Sequence, residues 1–183
     1  MTKIPAWTGA LVLTATVAAP ASADLPPLIP RDVLFGNPEK AGVQISPDGK
    51  NLAYLAPDDK NVLQVWVKPV AGGEAKRVTS DEKRGIRQYF WPHDGKHILY
   101  LQDKGGDENF HLFASELATG KTRDLTPFDG VRVQGVELDE KHPDTVLVGM
   151  NKRSKAAFDM HRVTISTGEE KLDTENPGMV LGW

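Results

Sequence analysis

The decapeptide SPDGKNLAYL (Ser46–Leu55) has a close copy, PHDGKHILYL (Pro92–Leu101), that begins 46 residues later. In both copies an Asp-Gly pair precedes a short apolar run, and such a pair favours a tight turn because glycine tolerates a positive φ. The apolar run after the turn is typical of a buried strand. The copies therefore predict a structural repeat in which Asp48 and Asp94 form turns and do not act as catalysts.

The repeat extends in both directions and occurs three times. Each unit contains four β-prone runs: GVQIS, NLAYLA, VLQVWVKPV and EAKRVT in the first, IRQYFW, HILYLQ, NFHLFASEL and KTRDLT in the second, and VQGVEL, TVLVGM, AFDMHRVTI and EEKLDT in the third. The closing threonines Thr79, Thr126 and Thr174 lie 47 and 48 residues apart. Four short strands at this period are typical of a β-propeller blade.

The sequence therefore predicts an all-β fold, a partial β-propeller with three four-stranded blades and the start of a fourth. The predicted boundaries are 41–80, 81–127 and 128–175 for the blades and 176–183 for the start of the fourth. Charged residues in each closing run place that strand at the outer edge, where charge discourages edge-to-edge pairing. Another all-β arrangement of the same hairpins is the alternative. Because a closed propeller needs at least four blades, we expect the chain to be truncated.

The N-terminal residues 1–23 have the features of a signal peptide. Lys3 precedes an apolar stretch, Gly9–Ala19, that is too short to span a bilayer, and ASA (Ala21–Ala23) matches a cleavage site. An uncleaved membrane anchor is the alternative. We expect a periplasmic or secreted protein that is free of the membrane after cleavage. Residues 24–40 contain four prolines and predict an extended arm with one helical turn at Arg31–Phe35.

The composition excludes several classes of function. The formal net charge is −3, so no basic surface indicates nucleic-acid binding. Because there is no cysteine, disulfides, thiolate metal sites and a cysteine nucleophile are excluded. At 39% apolar and 26% charged residues, the chain resembles an average soluble domain.

Three stretches resemble the N-terminal region of the prolyl oligopeptidase family of serine peptidases, near its dipeptidyl and acylaminoacyl peptidases. They are NPEKAGVQISPDG (Asn37–Gly49), YLQDKGGDENFHLF (Tyr100–Phe113) and RDLTPF (Arg123–Phe128). The resemblance implies a propeller that caps a C-terminal α/β-hydrolase domain and admits only short peptides. In that family the hydrolase domain carries a serine in a G-x-S-x-G motif, followed by an aspartate and a histidine.

No residue of this chain matches those catalytic positions. None of the six serines (Ser22, Ser46, Ser80, Ser115, Ser154 and Ser166) lies in G-x-S-x-G, so we assign no catalytic, cofactor-binding or metal-binding residue and expect the chain alone to be inactive. Peptide substrates would be cleaved by a hydrolase domain absent from this chain. The alternatives are a periplasmic protein-binding propeller like that of the Tol system, and a truncated product without function. The cleaved bond, the total number of blades and the oligomeric state stay open.

Several polar and aromatic residues are candidates for a functional site, but a structural role is favoured for each. A zinc site would need three or four of the histidines to converge, and these are His93, His97, His111, His142 and His161. The loop DKGGDEN (103–109) offers Asp103, Asp107 and Glu108 to calcium or to a peptide amino terminus. Arg84 and Arg87 could meet a substrate carboxylate or the hydrolase domain. The aromatic residues Trp66, Tyr89, Phe90 and Trp91 are interpreted as packing between blades.

Overall fold

A computed structural model describes residues 26–178 and Val180. The predicted signal peptide and most of MVLGW (Met179–Trp183) lie outside the described residues. The elements are α1 Arg31–Phe35, β1 Ala41–Ile45, β2 Asn51–Pro57, β3 Leu63–Pro69, β4 Lys76–Arg77, β5 Tyr89–Phe90, β6 His97–Gln102, β7 His111–Glu116, β8 Thr122–Asp124, β9 Val133–Leu138, β10 Thr145–Ser154, β11 Ala157–Thr164 and β12 Glu170–Thr174. The helix has the bounds of the predicted helical turn.

The strands form three antiparallel four-stranded sheets, each in simple sequence order. Blade one is β1-β2-β3-β4, blade two is β5-β6-β7-β8 and blade three is β9-β10-β11-β12. The predicted all-β, propeller-like fold with three blades is confirmed. The charged closing strands β4, β8 and β12 are edge strands, and most of their residues are exposed. The blade boundaries in the sequence remain predictions.

Two strands differ in length from the predicted runs. β5 contains only Tyr89 and Phe90, and the backbone N–H of Ile86, at the start of the predicted run, donates instead to Leu63 of blade one at 2.7 Å. β10 continues past Met150 to Ser154, where it pairs with the start of β11. Neither difference is visible in the local pattern. Ile86 pairs with a residue of another blade, and the end of β10 lies beyond the apolar run that predicts the strand.

The turn that opens each second strand is held by an aspartate. Gly49 and Gly95 have φ values of +72° and +65°, which glycine adopts without strain. The Asp48 carboxylate accepts hydrogen bonds from the Ser46 hydroxyl and the Lys50 backbone N–H, and these hold the pKa of Asp48 below its ordinary value. Asp94 accepts in the same way from the backbone N–H of Lys96.

The longer third turn, DEKHPD, reproduces this arrangement without a glycine. The Asp139 carboxylate accepts from the Lys141 backbone N–H at 3.0 Å and contacts the His142 ring at 2.9 Å. These hydrogen bonds lower the pKa of Asp139. Aspartate, not the Asp-Gly pair, is therefore the feature that all three turns share.

The core lies between the blades. Along β6, Ile98 and Tyr100 pack against blade one, while Leu99 and Leu101 pack towards blade three, as a sheet that is buried on both faces requires. Burial on both faces explains why this run is apolar at consecutive positions. Tyr89 lies in the same contact, and its hydroxyl donates to carbonyl oxygens of Gly42 and Ala53 in blade one. Burial raises the pKa of Tyr89 to about 12.

The threonines that close the repeats fall into two groups. The hydroxyl oxygens of Thr79 and Thr126 are buried, and each accepts a hydrogen bond of 2.9 Å from a backbone N–H of the third strand, on Val65 and Leu112. These hydrogen bonds connect the end of the short fourth strand to the third strand of the same sheet. Thr174 is exposed, and the one hydrogen bond of its hydroxyl among residues 26–178 and 180 goes to the adjacent Asp173.

Candidate functional site

A groove of about 390 Å³ runs between the innermost strands of blades two and three. In a propeller the innermost strands line the central channel. The side chains of Phe90, Leu101 and Phe110 form an apolar wall, while Arg87 and Arg132 supply the charged groups. We refer to this feature as the β5–β9 groove.

Arg132 is held in place at its backbone. Its N–H donates to the side-chain oxygen of Asn151 at 2.7 Å, and its carbonyl accepts from the Asn151 backbone N–H at 3.3 Å. Asn151 itself is buried on the neighbouring strand β10. The guanidinium carbon of Arg132 lies 6.0 Å from the centre of the Phe110 ring, within the range of a cation–π contact.

A β-bulge shapes the rim of the groove. Val148 pairs with Val136 but Gly149 pairs with Gln134, so Gly135 is an extra residue in β9, with φ +64°. A Cβ on Gly149 would lie 2.7 Å from the Gln134 carbonyl oxygen, so the close approach requires glycine at that position. A bulge of this kind bends the strand and changes the direction of its side chains.

The two arginines singled out from the sequence have different environments. Arg84 forms an ion pair with Asp103, with Nε and Oδ1 3.4 Å apart, and Asp103 is buried. Arg87 is exposed and lines the groove, and among residues 26–178 and 180 it forms no ion pair. The arginine that sequence reasoning missed is Arg132, since it lies in a loop without a motif and reaches the groove only through the packing of two blades.

The acidic loop 103–109 is held by hydrogen bonds within itself. Asp103 accepts from the Glu108 backbone N–H at 3.3 Å. Asp107 accepts hydrogen bonds from the Asn109 side chain and from the backbone N–H groups of Asn109 and Lys104, and these lower its pKa. Within the described part of the chain, no three histidine, aspartate or glutamate side chains are grouped closely enough to hold a metal ion.

The histidines are distributed over the three blades and do not meet. Four of the five pair with a carboxylate, in the pairs His97–Asp94, His111–Asp124, His142–Asp139 and His161–Glu170. His93 is exposed in the turn before β6. His161 is the most buried of them, and its Nε2 atom has no hydrogen-bond partner among the described residues.

Three of the five serines in the described residues donate their hydroxyl groups to structural partners. The hydroxyl groups of Ser46, Ser115 and Ser166 donate to Asp48, to the Val78 carbonyl and to Asp144, respectively. Across residues 26–178 and 180, no serine hydroxyl hydrogen-bonds a histidine, which is the contact that activates a serine nucleophile. Ser22 lies outside the described residues.

The chain is similar to two curated dipeptidyl peptidases. It is 47% identical over 178 residues to dipeptidyl aminopeptidase BIII of Pseudoxanthomonas mexicana, an alignment that covers 95% of this chain and 26% of that protein. It is 31% identical over 155 residues to dipeptidyl peptidase family member 6 of Caenorhabditis elegans, covering 81% of this chain and 21% of the relative. The resemblance to the prolyl oligopeptidase family is confirmed. The chain spans about a quarter of the length of these relatives, and no family model matches it.

Solved structures agree with the fold. The β-propeller domain of the Trilobed protease from Pyrococcus furiosus has a TM-score of 0.53 and 19% identity, with 75% of this chain and 44% of that chain covered. The putative TolB of Agrobacterium tumefaciens has a TM-score of 0.55 and 18% identity, with 77% and 50% covered. At these identities the likeness concerns the fold alone. No helix in the described part of the chain is long and apolar enough to cross a membrane.

Proposed function

We propose that this chain is the N-terminal propeller segment of an exported serine peptidase of the prolyl oligopeptidase type. In this proposal the blades restrict and orient short peptide substrates, and the bond is cleaved by an α/β-hydrolase domain that is not part of the 183 residues. The observation that carries the proposal is the 47% identity to a dipeptidyl aminopeptidase over 95% of the chain. The two peptidase relatives make peptides the substrate class that it favours.

The position of the β5–β9 groove supports a role in substrate selection. The groove lies on the side where propeller strands line a channel, and it combines apolar walls with the exposed guanidinium group of Arg87. A peptide that passes along the channel would meet this surface before it reaches a hydrolase domain.

Export is part of the same proposal and rests on the sequence. Residues 1–23 have the charged, apolar and small-residue segments of a secretory signal, which would direct the protein to the periplasm or the medium. A Tol-like binding module remains the alternative with the same location. No contact in the blades favours this binding module over the peptidase, and the 18% identity to the TolB structure concerns the fold alone.

The proposal is tested by comparing the 183-residue chain with the product of the complete reading frame that contains it. Only the longer product should react with a fluorophosphonate serine probe and release dipeptides from a chromogenic dipeptide substrate. A longer product that continues with further blades and ends without a G-x-S-x-G motif would refute the peptidase and favour the binding module. Labelling of the 183-residue chain itself would also contradict the proposal.

A further inference from the structure

Two arginines of the β5–β9 groove differ from the other arginines of the blades. The side chains of five blade arginines have a partner, in the contacts Arg77–Asp58, Arg84–Asp103, Arg123–Ser166, Arg153–Asp159 and Arg162–Asp173. Within residues 26–178 and 180, the guanidinium groups of Arg87 and Arg132 have no carboxylate or carbonyl partner. Both line one groove, so two unmatched positive charges lie on the same surface.

We propose that the β5–β9 groove binds a carboxylate group of a short peptide through Arg87 and Arg132. The inference rests on the proposed function and specifies which part of a peptide substrate the propeller recognises. The planar guanidinium group matches a carboxylate because it donates two parallel hydrogen bonds. The carboxylate is the free C-terminus of the peptide.

The charge of the groove favours an anion. The residues that line it include the two arginines and no aspartate or glutamate. The chain as a whole has a formal net charge of −3, so the positive charge of this surface is opposite in sign to the net charge of the chain. Arg84, three residues before Arg87, does not add to it because Asp103 neutralises its charge.

The shape of the groove favours a small occupant with an apolar part. Its volume of about 390 Å³ lies at the lower end of ordinary small-ligand sites and suits a few peptide residues. Phe90 and Phe110 provide aromatic surface beside the charges, against which an apolar side chain of the peptide can pack. The occupant should therefore be a peptide that ends in an apolar residue with a free carboxylate.

One of the two charges is preorganised. The backbone of Arg132 is fixed on both sides by the buried Asn151, and its guanidinium group lies over Phe110. A ligand then needs to order chiefly the Arg87 side chain, which lowers the entropic cost of binding. Among the described residues neither guanidinium group forms an ion pair, and Arg132 touches the neighbouring blade only through its exposed cation–π contact with Phe110, so replacing both should leave the fold intact.

The test is an NMR titration of the ¹⁵N-labelled 183-residue chain with acetyl-Ala-Ala-Phe and with its C-terminal amide. The free acid should bind about tenfold more tightly than the amide, since a charge-assisted hydrogen bond contributes more than a neutral one and partial exposure reduces the gain. Shifted amide signals should include Gly135 and Val136. The variant Arg87→Gln/Arg132→Gln should lose the preference for the acid, and Arg31→Gln/Arg162→Gln, which removes the same charge outside the groove, should keep it.

Two results would overturn the inference. The first is that the unaltered chain does not prefer the acid, because it binds both peptides equally or binds neither. The second is that the Arg87→Gln/Arg132→Gln variant keeps the full preference for the acid while the rest of its NMR spectrum is unchanged. Neither result bears on the fluorophosphonate comparison, which tests the peptidase proposal independently. Conversely, absence of a serine nucleophile in the longer product would refute the proposed function even if the groove prefers the acid.

Discussion

Replacing each repeat threonine by valine should show which of the three threonines stabilise the fold. Thr79, Thr126 and Thr174 hold equivalent places in the sequence, but only the first two are buried with their hydroxyl oxygens on a third-strand backbone N–H. Valine has nearly the same shape as threonine and no acceptor. The substitution therefore removes the hydrogen bonds of the hydroxyl group with little change in volume.

The expected magnitude follows from what the valine leaves behind. In Thr126→Val, the backbone N–H of Leu112 stays buried without a partner, which costs about 1–3 kcal/mol of unfolding free energy. Thr79→Val should be at least as destabilising, because the Thr79 hydroxyl also donates to the Gln64 side-chain oxygen at 2.9 Å. Thr174→Val should change the unfolding free energy by less than about 0.5 kcal/mol, as for an ordinary surface position.

Urea unfolding of the three variants, followed by tryptophan fluorescence and circular dichroism, measures these differences. For a chain of this size, each kcal/mol should lower the melting temperature by about 2–4 °C. Thr79→Ser and Thr126→Ser serve as controls, because serine keeps the acceptor oxygen and loses only a methyl group. Equal effects of valine at all three positions, or serine variants as unstable as the valine variants, would refute the reasoning.

Two further substitutions test the bulge and the buried ion pair of blade three. Gly149→Ala would place a Cβ 2.7 Å from the Gln134 carbonyl oxygen, so we expect a loss of about 1–3 kcal/mol in urea unfolding, and an unchanged midpoint would contradict the bulge register. Asp159 is buried and accepts hydrogen bonds from Arg153 and then from the Asn176 backbone, which lower its pKa. Asp159→Asn should therefore be less stable than the native chain at neutral pH, and the difference should shrink as the pH falls below 3.8, the ordinary value, through the lowered native pKa. A difference that grows in acid would contradict this sign.

The repeat made the fold predictable from the sequence. A run such as HILYLQ, apolar at consecutive positions, reports burial on both faces, and β6 has the same bounds as that run. The sequence predicts that Asp48 and Asp94 form turns, and their hydrogen bonds to nearby backbone N–H groups are those of turns. These features depend on residues within a few positions of each other, so the local sequence contains the information.

Features set by pairing between strands were not predictable in the same way. The bulge at Gly135 depends on which residues of β9 face Gly149, and a glycine in a strand pattern has several possible reasons. The start of the predicted β5 run, Ile86, hydrogen-bonds to Leu63 of the preceding blade and not to β6. Register and contacts between blades are long-range properties that a local pattern does not specify.

The candidate site illustrates the same limit at the level of single charges. Arg84 and Arg87 lie in one loop and are equivalent candidates in the sequence, yet only Arg84 forms an ion pair with the buried Asp103. Arg132 comes from the next blade and joins Arg87 because the innermost strands of the two blades flank one groove. Each pair of neighbouring blades in a propeller has the same arrangement of innermost strands, so the sequence repeat predicts where grooves form between blades. The charge inside a groove depends on which side chains remain unpaired after the blades pack, and only the three-dimensional contacts determine that.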